Sequence, residues 1–192
     1  SDVLNKAMKR RYAVGAFNVY NLESLQAVIR AAEKLKSPVI VQTSESAIYY
    51  AGLGVIGKMI EIAAFSTKIP VVLHLDHGKN ITLIRKCLDL GYTSIMFDGS
   101  EFNFRKNLKL TRKVVELVHK KGASVEAELG KIYVVEDDVI SEDYGYTEPK
   151  EAEEFVKKTN VDALAISIGT SHGVFKRRAN QLRFDLLQEI RK

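Results

Sequence analysis

The chain has 192 residues, 46% of them apolar and 28% charged, a balance that excludes intrinsic disorder and suits one well-buried core across residues 1–192. Its apolar runs stop short of the roughly 20 residues that a membrane-spanning helix needs. Ser1-Asp2-Val3-Leu4-Asn5-Lys6 lacks a signal-peptide pattern, so a cytoplasmic protein with no membrane partner is expected. Lys and Arg number 29 against 24 acids, a net charge of +5 spread over helical faces without aromatic clustering. That favours an anionic small molecule and speaks against nucleic acid. A single cysteine, Cys87, excludes an internal disulfide and reads as a packed apolar residue in a helix.

In chain order, Val3, Leu4, Ala7 and Met8 give Asp2 to Arg11 one apolar helical face. A strand follows at Tyr12 to Asn18, and Asn21 is placed to cap a helix from Leu22 to Leu35. Ser37-Pro38 ends that helix and Val39 to Ser44 reads as the second strand. Leu53 to Ser66 is helical, Val71 to Asp76 is a third strand, and Asn80 caps a helix that Gly91 ends. Further strands are expected at Thr93 to Asp98, Ser124 to Leu129 and Asp162 to Gly169. Helices are expected at Asn103 to Lys121, Pro149 to Thr159 and Arg183 to Lys192, with a charged loop running through Tyr146.

Six strands alternating with helices imply a parallel sheet. Nearly every strand ends in polar residues: Asn18, Ser44, Asp76-His77, Asp98, Glu126/Glu128 and Thr170-Ser171-His172. Functional groups at successive carboxyl ends are the mark of a TIM (β/α)₈ barrel, here with about six βα units; a doubly wound open sheet is the competing architecture. The central stretch is His74-Leu75-Asp76-His77-Gly78. Two imidazoles and a carboxylate at a strand end are costly to bury unpartnered. They fit either a metal ligand beside an acid–base residue, or a hydrogen-bonded pair of histidines capping the next helix.

Four motifs carry a resemblance: Tyr12-Ala13-Val14-Gly15-Ala16-Phe17-Asn18-Val19, His74-Leu75-Asp76-His77-Gly78, Val125-Glu126-Ala127-Glu128-Leu129-Gly130 and Ile168-Gly169-Thr170-Ser171-His172-Gly173. Together, and in this order, the chain resembles the zinc-dependent class II fructose-bisphosphate and tagatose-bisphosphate aldolases. The resemblance implies reversible cleavage of a ketose 1,6-bisphosphate to dihydroxyacetone phosphate and glyceraldehyde 3-phosphate. It implies Zn²⁺ on His77 and His172, and admits a monovalent cation beside it. Asp76 matches the carboxylate that moves the C4-hydroxyl proton, and Glu136 the proton-transferring glutamate of a loop. Asn18 and Ser44 match substrate-side polar positions, Gly173 and Lys176 phosphate contacts. Asp98, Glu126 and Glu128 match acids that support the histidines or hold a secondary metal.

The resemblance also has departures. A third zinc histidine, expected in a His-Gly-Gly-Ser-Gly stretch on a seventh strand, and the phosphate segment of an eighth have no counterpart in these 192 residues. Ser46 and Tyr49 stand where the family has glycine and lysine, and Tyr133-Val134 where it has a glycine pair, so a stiffer loop is expected there. A homo-oligomer is expected, either as an aldolase or, alternatively, as a catalytically impaired or engineered barrel fragment acting as an oligomerising structural module.

Overall fold

The computed structural model describes residues 2–130, 133–136, 139–140, 145–169, 171–173 and 182–192. In chain order the elements are α1 (Asp2–Arg10), β1 (Gly15–Asn18), α2 (Leu22–Leu35), β2 (Val39–Ser44), α3 (Glu45–Ala51), α4 (Leu53–Phe65), β3 (Val71–Gly78), α5 (Ile81–Asp89) and β4 (Ser94–Phe97). They continue with α6 (Phe104–His119), β5 (Ser124–Leu129), β6 (Tyr133–Glu136), β7 (Val139–Ile140), α7 (Pro149–Thr159), β8 (Ala163–Ile166), β9 (Ser171–Gly173) and α8 (Phe184–Ile190). Two compact units make up the chain: Ser1–Phe97 with Val114–Glu126, and Asp98–Lys113 with Ala127–Lys192.

In the first unit, caps written in the sequence set the helix starts. Asn21 Oδ1 accepts the Ser24 N–H at 2.9 Å while Ser24 Oγ accepts the Asn21 N–H at 3.2 Å, a reciprocal capping box that opens α2. Ser44 Oγ accepts the Ala47 N–H at 3.2 Å and opens α3, a helix the sequence reading passed over. The strands stand in the order β1-β2-β3-β4-β5, and β1, β2 and β3 pair in parallel. Burial alternates along β2: Val39, Val41 and Thr43 are buried, while Ile40, Gln42 and Ser44 are half-buried. Period two therefore puts Gln42 and Ser44, with Ile40, on one face. On the other, Thr43 Oγ1 and the Tyr92 hydroxyl share a buried hydrogen bond of 2.8 Å. Val41, Ile56, Ile60, Leu75, Ile84 and Ile95 are fully buried, each stabilising the fold by roughly 1.5–3 kcal/mol. Cys87 is buried with them, as its helical context suggested.

In the second unit, β8 lies next to β5. Ala127, Leu129, Ala152 and Phe155 form its core, with Phe104, Leu108 and Leu164 packed against them. The Phe104 and Phe155 rings meet edge to face at 6.0 Å. Thr147 ties the strand ends together: its Oγ1 donates to the Leu129 carbonyl at 2.7 Å and accepts the Ser167 N–H at 2.8 Å. Where a charged loop was expected, β6 pairs with β7 antiparallel and with β9 in parallel. Tyr133 and Val134 belong to β6, an aromatic and a β-branched residue that favour extended backbone.

Candidate functional site

The first unit brings four strand-end groups together. Asn18 ends β1 and faces Gln42 across the parallel register, and Ser44 ends β2 facing Asp76. Asp76 Oδ2 accepts from Asn18 Nδ2 at 2.7 Å, and its Oδ1 accepts from Gln42 Nε2 at 3.2 Å. Two neutral amide donors, one on each oxygen, fix the plane of a half-buried carboxylate without neutralising its charge. Gln42 was missed from sequence, although period two puts it on the same face of β2 as Ser44. The Ser44 hydroxyl caps α3 and also shares a 2.9 Å hydrogen bond with Ser46.

His77 was expected to begin a turn. Instead it lies within β3, which runs on to Gly78 through a bulge: Leu75 pairs with Ile95 and Gly78 with Phe97, three residues against two. His77 takes φ +47, a left-handed conformation costing an ordinary residue about 1–2 kcal/mol. The extra residue breaks strand alternation, re-aiming the side chains beside it. Gly78 permits the bulge, since a Cβ there would stand 2.9 Å from the Met96 carbonyl oxygen and 2.7 Å from Leu75 Cδ2. Gly78→Ala is therefore expected to cost about 1–3 kcal/mol, read as a lower urea midpoint with an unchanged m-value.

His74 has a different place from His77. It is 2% exposed, its Nδ1 sharing a 2.8 Å hydrogen bond with Ser94 Oγ. Its Nε2 has no hydrogen-bond partner and stands 3.7 Å from Glu126 Oε2. Burial, more than the opposing charge of Asp76, pushes the imidazole pKa down to about 4. Glu126 is pushed up, by burial first and then by Asp76. The pair therefore sits at neutral pH as an uncharged imidazole beside a carboxyl that holds its proton more readily than usual. The N-cap of the next helix is Asn80 rather than a histidine. Its Oδ1 accepts the Thr82 and Leu83 N–H groups at 2.8 and 3.3 Å.

In the second unit, Asp98 and Glu128 are both buried and offer carboxylate oxygens within 4.8 Å of each other. Asp98 Oδ1 accepts the Ser100 N–H at 3.0 Å and the Ser100 hydroxyl at 2.7 Å. The Glu128 backbone is fastened by Asn107, whose Nδ2 donates to its carbonyl at 3.0 Å and whose Oδ1 accepts from Thr111 at 2.9 Å. Asn107 and Thr111, four apart on one helical face, are the signal that sequence reading passed over. Glu136 lies on β6, paired with Val139, while His172 and Gly173 lie on β9, in register with Val134 and Val135. Lys176, Arg177 and Arg178 lie outside the described residues.

These donors suit a divalent cation. His77, a half-buried imidazole whose charge acts with that of Asp76 on both His74 and Glu126, offers with the two carboxyl groups nitrogen and oxygen ligands of the kind zinc accepts. The Asp98–Glu128 pair offers hard oxygen ligands, whose mutual repulsion a cation would relieve.

The family model for class II fructose-bisphosphate aldolase matches residues 1–192. The chain belongs to the class II fructose-bisphosphate aldolase family. A fructose-bisphosphate aldolase of Treponema pallidum is 44% identical to this family member over 211 residues, covering 100% of the chain and 64% of the relative. One of Helicobacter pylori is 44% identical over 196 residues, with the same shares. This aldolase-family chain thus spans 64% of the length of those two relatives. Among solved structures, a putative fructose-1,6-bisphosphate aldolase from Coccidioides immitis superposes with a TM-score of 0.89 at 35% identity, over 98% of this chain and 67% of that one. The YdjI aldolase from Escherichia coli K12 superposes with a TM-score of 0.84 at 36% identity, over 97% and 65%. The α/β class and TIM-barrel family expected from strand-end polarity are those of these aldolases, with six parallel strands present. No single helix among the described residues is long and apolar enough to cross a membrane.

Proposed function

We propose that the protein acts as a zinc-dependent class II ketose-bisphosphate aldolase. It would reversibly cleave fructose 1,6-bisphosphate, with the tagatose isomer as the alternative substrate, to dihydroxyacetone phosphate and glyceraldehyde 3-phosphate. The observation carrying this reading is Asp76, a carboxylate fixed by the Asn18 and Gln42 amides one residue before the left-handed His77. In the cleavage direction Asp76 takes the proton of the C4 hydroxyl, the C3–C4 bond breaks, and its electron pair passes towards the C2 carbonyl to give an enediolate. Glu136 returns a proton to C3, restoring the C2 ketone of dihydroxyacetone phosphate. Zinc, held by His77 and His172, would supply Lewis acidity at the C2 carbonyl.

Asn18 and Ser44 are assigned to the substrate's hydroxyl side and Gly173 and Lys176 to a phosphate, for which a lysine supplies a compact positive charge. Glu126 orients the neighbouring histidines, and Asp98 with Glu128 holds a secondary or monovalent cation. The working environment is cytoplasmic. A second copy of the chain is the proposed macromolecular partner, supported by the exposed Tyr49, Tyr50, Val55, Ile62 and Phe65 of α3 and α4.

The test is zinc content together with cleavage rates on both sugar bisphosphates, on size-resolved protein. Stoichiometric zinc and turnover abolished by EDTA and restored by zinc are expected; folded protein that binds zinc without cleaving either sugar would overturn the reading.

A further inference from the structure

Glu45, at the start of α3, reaches 34 residues along the chain to the turn after β3. Its Oε1 accepts the Lys79 N–H at 2.8 Å and the Asn80 N–H at 3.2 Å. These amides do not belong to the α5 cap, since the N–H groups of Thr82 and Leu83 are already taken by Asn80 Oδ1. Glu45 therefore serves the two residues that follow the His77–Gly78 bulge. Glu45 is the first residue of α3, which Ser44 caps through the Ala47 N–H. The βα turns after two neighbouring parallel strands are thus joined by one carboxylate.

We propose that Glu45 is a positioning residue that holds the His77–Gly78 bulge in its left-handed form by gripping the backbone at Lys79 and Asn80. His77 at φ +47 would relax towards ordinary extended backbone unless its surroundings over-determine it. Gly78 is pinned from the strand side by its close approach to Met96, and the Glu45 carboxylate pins the following residues from the other side. Hydrogen bonds from backbone amides to a charged acceptor are among the stronger ones. Relaxation of the bulge would re-aim the His77 side chain, since the extra residue and the left-handed backbone set its direction. Neither the aldolase motifs nor the metal-donor types single Glu45 out; only its two backbone contacts do.

The inference rests on the reading of His77 as a metal ligand, and its test separates the two. Glu45→Ala and Glu45→Gln are made in the full chain; the glutamine keeps an acceptor oxygen and the alanine does not. Amide hydrogen exchange at Lys79 and Asn80 is measured without metal, Co²⁺ affinity by competition with a chelator, and global stability in urea. Glu45→Ala is expected to speed exchange at both amides and to weaken Co²⁺ binding about 10–100-fold, with the urea midpoint little changed. Glu45→Gln is expected to restore both towards the parent. Unchanged exchange and affinity in Glu45→Ala, or a loss as large in the glutamine variant, would overturn the proposal. A parent protein that binds no Co²⁺ would instead remove the metal reading of His77, leaving the exchange data to judge the grip on the turn.

Discussion

Asp76→Asn is expected to lower the aldol-cleavage kcat by about 10²–10⁴-fold, the range attributed to a positioned general base. The substitution is nearly isosteric, so the loss does not come from volume. Asparagine has no basic oxygen to take the C4-hydroxyl proton. It also presents an NH₂ group to one of two amide donors, Asn18 Nδ2 or Gln42 Nε2, that now meet carboxylate oxygens at 2.7 and 3.2 Å. Gln42→Ala keeps the carboxylate and the shorter bond, and a smaller fall in kcat is expected. Steady-state kinetics on fructose 1,6-bisphosphate, with bound zinc quantified in each variant, checks both. A kcat for Asp76→Asn within a few-fold of the parent would show that the C4 proton goes elsewhere.

Stability should fall between pH 6.5 and 4 because of His74. Its pKa in the fold is about 4, against 6.5 for the unperturbed group, so the unfolded chain binds the extra proton throughout that interval. The contribution is complete above 6.5 and disappears as the pH drops to 4, about 3 kcal/mol for a shift of this size. Glu126 acts in the opposite sense. Its raised pKa means that the folded chain holds its proton where the unfolded chain has released it, which flattens the slope over part of the same range. Urea midpoints across pH 4–7 should therefore rise with pH in the parent, and more steeply in Glu126→Gln. A flat profile in both would mean that His74 titrates normally in the fold.

The order of strands and helices is a local property of the sequence, whereas the way the strand-end residues are held is not. The alternation of strands and helices was legible because each element carries its own punctuation: Asn21 and Asn80 as caps, Pro38 and Pro70 before strands, Gly91 and Gly122 after helices. The helix α7 is bounded where the sequence reading put it, with Pro149 at its first turn and Asn160 left-handed at its end. β6 and β7 escaped notice because their pairing partners are distant or lie in a charged segment without alternation, and ladder hydrogen bonds leave little trace in composition.

The sequence by itself determined the α/β class, the family and the cluster His74-Leu75-Asp76-His77-Gly78, since periodicity, caps and contiguous motifs are local properties of the chain. Tertiary structure alone decided that His74 and His77 part company, one buried against Ser94 and the other carried out on a bulge. It also decided that Gln42 and Asn18 fasten Asp76, that Asn107 braces Glu128, and that Glu45 reaches the turn beyond His77. Each of these depends on strand register or on a contact tens of residues apart. A shift of one residue in a strand reverses which side chains share a face, and no local pattern records where a bulge makes that shift.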